Sequence, residues 1–263
     1  MPQRPGPLAD ARPAFGSLLQ AHPGAALALV AASVMGWLFL AWLAMDMETP
    51  VAQLAMPMSR HWTVPNLIAV WTMWSVMMIA MMLPSALPMI LTFVQVAQRS
   101  GEHVRGLAFV AAYVIVWLGF GTLGVTAQWV LQHSGLVDAM AVSRSSPLTA
   151  VLLLLAGVYQ FSPLKRACLL SCRSPMVFLL GQWRPGVGGG FTMGLRHGLL
   201  CLGCCWALMG LLFIGGMMNV PWVAALAVAV AIEKLAPDGA RIGTLLGLAL
   251  IIAGVIRLAS TAS

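Results

Sequence analysis

Residues 191–216 read FTMGLRHGLLCLGCCWALMGLLFIGG, an apolar run long enough to cross a bilayer as one helix, with Arg196 its one formally charged side chain. No water reaches backbone groups in the hydrocarbon core, so such a run must pair its N–H and C=O groups internally, and in one chain segment that means a helix. Comparable runs occur at 24–45, 66–93, 105–131, 147–161, 222–235 and 241–259. The pattern predicts an all-α, polytopic transmembrane helix bundle of about seven spans. Residues 1–23 are then a cytoplasmic tail and 24–263 a single transmembrane domain. The segment after Pro175 is too short to span, which predicts a cytoplasmic-side interfacial or re-entrant segment between spans four and five.

With 60% hydrophobic and 8% charged residues, the chain is not an ordinary soluble domain. The net charge of +7 is spread singly over short loops, which argues against nucleic acid and reports topology instead. Loops on one side hold most of the Lys and Arg, and the other side holds Arg60, Arg144 and Arg257. That bias sets the N-terminus inside and the C-terminus outside. The first twenty residues show no cleavable signal pattern, so the first span is the expected targeting element.

Within 191–216, Met193, His197, Cys201, Cys205 and Met209 recur every four residues, with Cys204 beside Cys205. At 3.6 residues per turn each step drifts by about 40°, so only neighbouring members share a face. His197, Cys201 and Cys204/Cys205 form the tightest set. Cys168 and Cys172 stand one helical turn apart in SPLKRACLLSCRSP, between Pro163 and Pro175. Thiol, thioether and imidazole groups in an apolar helix suit Cu(I) or Zn(II). Singly, each of these residues also reads as packing. Five cysteines is an odd number, which argues against a pure disulfide framework.

In WTMWSVMMIAMMLPSALPM, Met73, Met77 and Met81 share one helical row, while Pro84 and Pro88 should kink or break the helix. With Met193 and Met209, that row is a candidate metal pathway as well as a candidate packing face. The polar break from Asp46 to Pro65 adds Met45-Asp-Met47, Met56-Pro-Met58 and His61, a possible capture loop. Glycines 186 and 188–190 read as a flexible link into the fifth span, and Glu233, beside Lys234 at the end of the sixth, as a carboxylate partner for an ion or, more often for a helix-end charge, as one that snorkels to water.

The combination of MMIAMMLPSALPM, QFSPLKRACLLSCRSP, CLGCCWALM and MMNVPW followed by EKLAPDG resembles a bacterial family of predicted metal-binding integral membrane proteins, a domain of unknown function. The resemblance covers Trp71 to Gly239. It implies a multi-pass protein of the bacterial inner (cytoplasmic) membrane, with Cys168, Cys172, Cys201, Cys204 and Cys205 as metal ligands.

Thioethers outnumber imidazoles and carboxylates are sparse, which favours Cu(I) over Zn(II), since zinc prefers four strong ligands. The expected function is to bind, transport or hand on a soft metal at the cytoplasmic side, with the bilayer and a copper-handling protein as partners. Lys165, Arg166, Arg173 and Arg196 would offset thiolate charge there. A membrane thiol-disulfide oxidoreductase using Cys201-x-x-Cys204 and Cys168/Cys172 is an alternative, and a structural subunit is another. No Ser/His/Asp set, carboxylate pair or phosphate loop supports other enzyme chemistry.

Overall fold

Helix starts in this chain carry a local signal, a Ser, Thr or Asn cap followed by proline. Thr49, Ser145, Ser162 and Asn219 each accept a hydrogen bond from the backbone N–H three residues on, and proline sits where no donor is needed. In the computed structural model, which describes Gly16 and residues 20–59, 61–99 and 101–262, these signals punctuate an all-helical chain. The elements are α1 (Pro23–Met45), α2 (Pro50–Ala55), α3 (Val64–Arg99), α4 (His103–His133), α5 (Ser146–Tyr159) and α6 (Pro163–Arg173). Then follow α7 (Pro175–Gln182), α8 (Gly186–Gly210), α9 (Leu212–Gly215), α10 (Val220–Leu235) and α11 (Gly239–Ala262). Most of the predicted 1–23 tail, and Arg60 of the charge count, lie outside the described residues.

Among the described residues five helices are long and apolar enough to cross a membrane, α1, α3, α4, α8 with α9, and α11; the bent pair α5 and α6 would make a sixth. The expected seven is not reached because α10 has 16 residues, about 24 Å of helix, and α5 has 14. Between α5 and α6 the axis turns by 63°. The predicted interfacial or re-entrant segment corresponds to two short helices, α6 and α7, and α6 packs on α8.

Helix α3 is the hub, packing on α1 and α4 and contacting α10 and α7. It is not broken at Pro84 and Pro88, both of which lie inside the continuous helix. Proline at 84 removes the donor that would reach the Ala80 carbonyl. The Ser33 hydroxyl of α1 donates to that carbonyl at 2.8 Å instead. Gly36, one turn on, lets α1 lie against Ala80, whose Cβ would be 2.9 Å from a Cβ at 36. Ser33→Ala therefore leaves a buried carbonyl unpaired and should lower stability by about 1–3 kcal/mol, with Ser33→Thr retaining most of it. Thermal unfolding in detergent reads the difference; equal melting for Ser33→Ala and wild type would contradict it.

The closest helix pair is α4 with α8. Gly190, Gly194 and Gly198 form a four-residue repeat along α8, and a Cβ at each would meet Arg105, Phe109 and Val116 at 2.7, 2.2 and 2.8 Å. Without side chains there the two backbones touch, the small-residue packing expected where lipid supplies no hydrophobic drive. The glycines at 186 and 188–190, expected as a flexible link, are thus the first turns of α8. Of these, Gly189 and Gly190 serve close approach, to Arg184 and Arg105, while Gly186 and Gly188 face open space. At the same end Arg105, 1% exposed, stacks 3.9 Å over the Trp183 ring, pairs with Glu102 and donates to the Arg184 carbonyl. This cation locks the α7–α8 junction to the start of α4.

Candidate metal centre

Three elements bring sulfur together. Helix α8 supplies Cys201, Cys204 and Cys205, all 1% exposed, α6 supplies Cys168 and Cys172, and α3 supplies Met82. The half-buried Cys172 thiol lies close to those of Cys201 and Cys204, and the Cys204 thiol close to that of Cys205. Cys204 and Cys205 also point their thiols back at the Cys201 carbonyl, at 3.0 and 3.1 Å. Cys168 lies one turn earlier on α6, its sulfur filling the space above Gly203, where a Cβ would be 2.8 Å away. Tyr159 holds the same spot by donating to the Gly203 carbonyl at 2.5 Å.

The result is a string of thiol pairs rather than a closed cage. Among the described residues no three His, Cys, Asp or Glu side chains converge on a point that could hold a metal ion. All five cysteines are free. Such pairs suit a soft monovalent ion that accepts two sulfurs better than an ion that needs four ligands.

Two residues at the centre escaped the sequence analysis. The Tyr113 hydroxyl of α4 lies 3.2 Å from the Cys201 sulfur and 3.3 Å from the Met82 carbonyl. Lys234 of α10 does not snorkel: it is 5% exposed, and its ammonium donates to the Cys201 sulfur at 3.0 Å and to Ser85 Oγ at 3.1 Å. Met82 Sδ is 4.0 Å from the same nitrogen. Glu233 is buried too, bonded by Lys165 at 2.6 Å and by Gln160 at 2.8 Å. The hydrophobic stretch hid this, because a Glu-Lys pair at a helix end usually finds water, whereas here α6 covers the end of α10.

Three of the four basic residues expected beside the thiols, Lys165, Arg173 and Arg196, have other partners. Lys165 pairs with Glu233, Arg173 caps the end of α10 through the carbonyls of Glu233, Ala236 and Pro237, and Arg196 pairs with Gln182. Lys234 takes the position assigned to them.

His197, expected at the rim, is enclosed. Its ring stacks on Phe109 and Tyr113 at centroid distances of 5.9 and 5.6 Å and meets Phe178 edge-on. Neither ring nitrogen has a hydrogen-bond partner among the described residues. A buried imidazole with two idle nitrogens is unusual and fits a group that serves a passing ligand. Depth also differs from expectation: Cys201 lies about 22 Å along α8 from Gly186, past its middle, not near the end.

Met73, Met77, Met81, Met193 and Met209 are all buried in the core cluster that contains the cysteines. The α3 thioether at the thiols is Met82, from the neighbouring row. The extramembrane Met/His loop does not gather: Met56 turns into the core while Met58 and Met45 stay exposed.

A family model described as PpoB2, copper chaperone, matches residues 71–257. The match begins where the sequence resemblance begins and extends past Gly239. No curated protein and no solved structure matches the chain.

Proposed function

The chain belongs to the PpoB2 copper-chaperone family, and from that premise we propose that it is a multi-pass protein of the bacterial inner membrane that holds Cu(I) between buried thiols and hands it on. The observation that carries the reading is the meeting of Cys172 on α6 with Cys201 and Cys204 on α8, inside a helix bundle. Thiolates in an apolar interior are costly unless a cation shares the space, so thiols gathered there point to a bound soft ion. Lipid contact is supported by large apolar side chains left uncovered on the outer helices, Leu38 of α1, Leu123 of α4 and Ile252 of α11 among them. The bias of Lys and Arg among the loops along the chain supports a cytoplasmic N-terminus.

Copper reaches and leaves the thiols along the bundle interior. The thioethers of Met73, Met77 and Met81 on α3, with Met193 and Met209 on α8, bind Cu(I) without losing a proton, and His197 lies one turn from Cys201. Cys168 and Cys205 complete the set as flanking donors. A copper-handling protein at the membrane face receives the ion.

Metal analysis of the purified protein tests this. Wild type should carry copper, and a variant with all five cysteines changed to serine should carry none. Replacing Met73, Met77 and Met81 by leucine keeps volume and apolarity, so stability should change by less than about 1.5 kcal/mol. That variant should still bind copper but fill or empty several-fold more slowly. Copper retained without cysteines would overturn the reading; unchanged exchange kinetics would return the methionine row to packing.

A further inference from the structure

A lysine placed among thiols in an apolar interior requires a charge account. Lys234 bonds to Cys201, Ser85 and, weakly, Met82, and no acidic side chain pairs with it among the described residues. Its neighbour Glu233 is already committed to Lys165 and Gln160. The other ionisable groups around the ammonium are Cys204, Cys205, Tyr113 and His197, and none of them is a carboxylate. A buried ammonium without a counter-ion is expensive. A metal-bound thiolate at Cys201, 3.0 Å away, supplies one.

We infer that Lys234 is the fixed counter-charge of the thiol centre and makes it selective for a monovalent soft cation held by two thiolates. The inference rests on the reading of Cys172, Cys201 and Cys204 as the copper-holding thiols. Two thiolates carry two negative charges; one Cu(I) or Ag(I) and one ammonium cancel them, leaving a neutral unit in a low-dielectric site. A divalent ion in the same pair leaves an uncompensated positive charge a few ångströms from another. Coordination points the same way. Thiols meet here in pairs, and an ammonium has no lone pair, so Lys234 cannot help complete the four-ligand shell that Zn(II) prefers. Ser85 holds the ammonium from the α3 side, so its position does not depend on the metal.

The test is competition between Ag(I) and Zn(II), and between Cu(I) and Zn(II), on the full chain in detergent or nanodiscs. Wild type should prefer the monovalent ion. Lys234→Met removes the charge at nearly constant volume, and the monovalent-to-divalent preference should fall by roughly 100-fold or more, as expected for one unit charge at contact range in a protein interior. Lys234→Arg restores the charge and should restore the preference. A wild type that takes Zn(II) as tightly as Ag(I) overturns the inference, even if neither substituted protein folds. An unchanged preference in well-folded Lys234→Met also overturns it. The triple variant Cys172→Ser, Cys201→Ser, Cys204→Ser separates the two levels. If it keeps wild-type Ag(I) affinity, the thiol reading itself fails; if it loses Ag(I) while Lys234→Met changes nothing, only the role of Lys234 fails.

Discussion

Cys201→Ser abolishes tight Cu(I) binding, and so does Cys172→Ser, while the double variant is no worse than either. This is the largest functional effect expected in the protein. Cys201 is the thiol that lies beside Cys172, Tyr113 and Lys234 together, so it joins the α6 thiol to the buried cation. Removing one of two sulfurs from a two-ligand site should lower affinity by roughly a thousandfold, about 4 kcal/mol. With either sulfur gone the Cys172–Cys201 pair is already lost, so the two losses should not add. Serine is close in size to cysteine, and the fold should survive. Cys168→Ser should leave binding largely intact, because that sulfur lies over Gly203. Competition with a Cu(I) chelator reads all four proteins. Additive losses would mean separate sites on α6 and α8, and full retention in Cys201→Ser would remove the centre from the position assigned to it.

Gly194→Val should be the most damaging single change to the fold. A Cβ at 194 would come within 2.2 Å of the Phe109 carbonyl oxygen and 2.8 Å of its carbon, and both atoms are backbone. A flexible side chain can move aside, but a helix backbone cannot without shifting the whole of α4 against α8. That shift would pull His197 and Cys201 away from Phe109 and Tyr113. The expected cost is about 3 kcal/mol or more, at the upper end for overpacking. Little folded protein should accumulate, and what does should bind copper poorly. By contrast Gly188→Ala, at a glycine with open space around it, should be neutral, which separates close approach from helix propensity. Equal yields and melting temperatures for the two variants would refute the packing argument.

Much of the architecture is legible in the chain because bilayer-scale hydropathy and the Ser/Thr/Asn-Pro caps are local signals. Each predicted apolar run corresponds to a helix, and α8 begins a few residues before the run that marks it. Span counting is less secure where a run is short: α5 and α10 are helices whose length alone does not carry them across. Pro84 and Pro88 misled for a physical reason. Proline reports a lost donor, and whether the helix breaks depends on what replaces the bond; here Ser33, from another helix, does so at Ala80.

For the centre, the sequence by itself determined which residue types were available and which lay on one helical face: Cys168 with Cys172, and His197 and Cys201 with Cys204/Cys205. A period of 3.6 residues fixes such neighbours before any packing occurs. Only the tertiary structure decided that Cys172 is the α6 thiol beside Cys201 and Cys204, that Met82 is the thioether beside Lys234, and that Tyr113 and Lys234 complete the surroundings. Those contacts join α3, α4, α6, α8 and α10 across large sequence separations. Their choice depends on interhelical geometry, set by glycines that let backbones touch and by the covering of a helix end that would otherwise meet water. The charge of Lys234 was visible in the chain; its burial beside a thiol was not, because burial belongs to the neighbours of a residue.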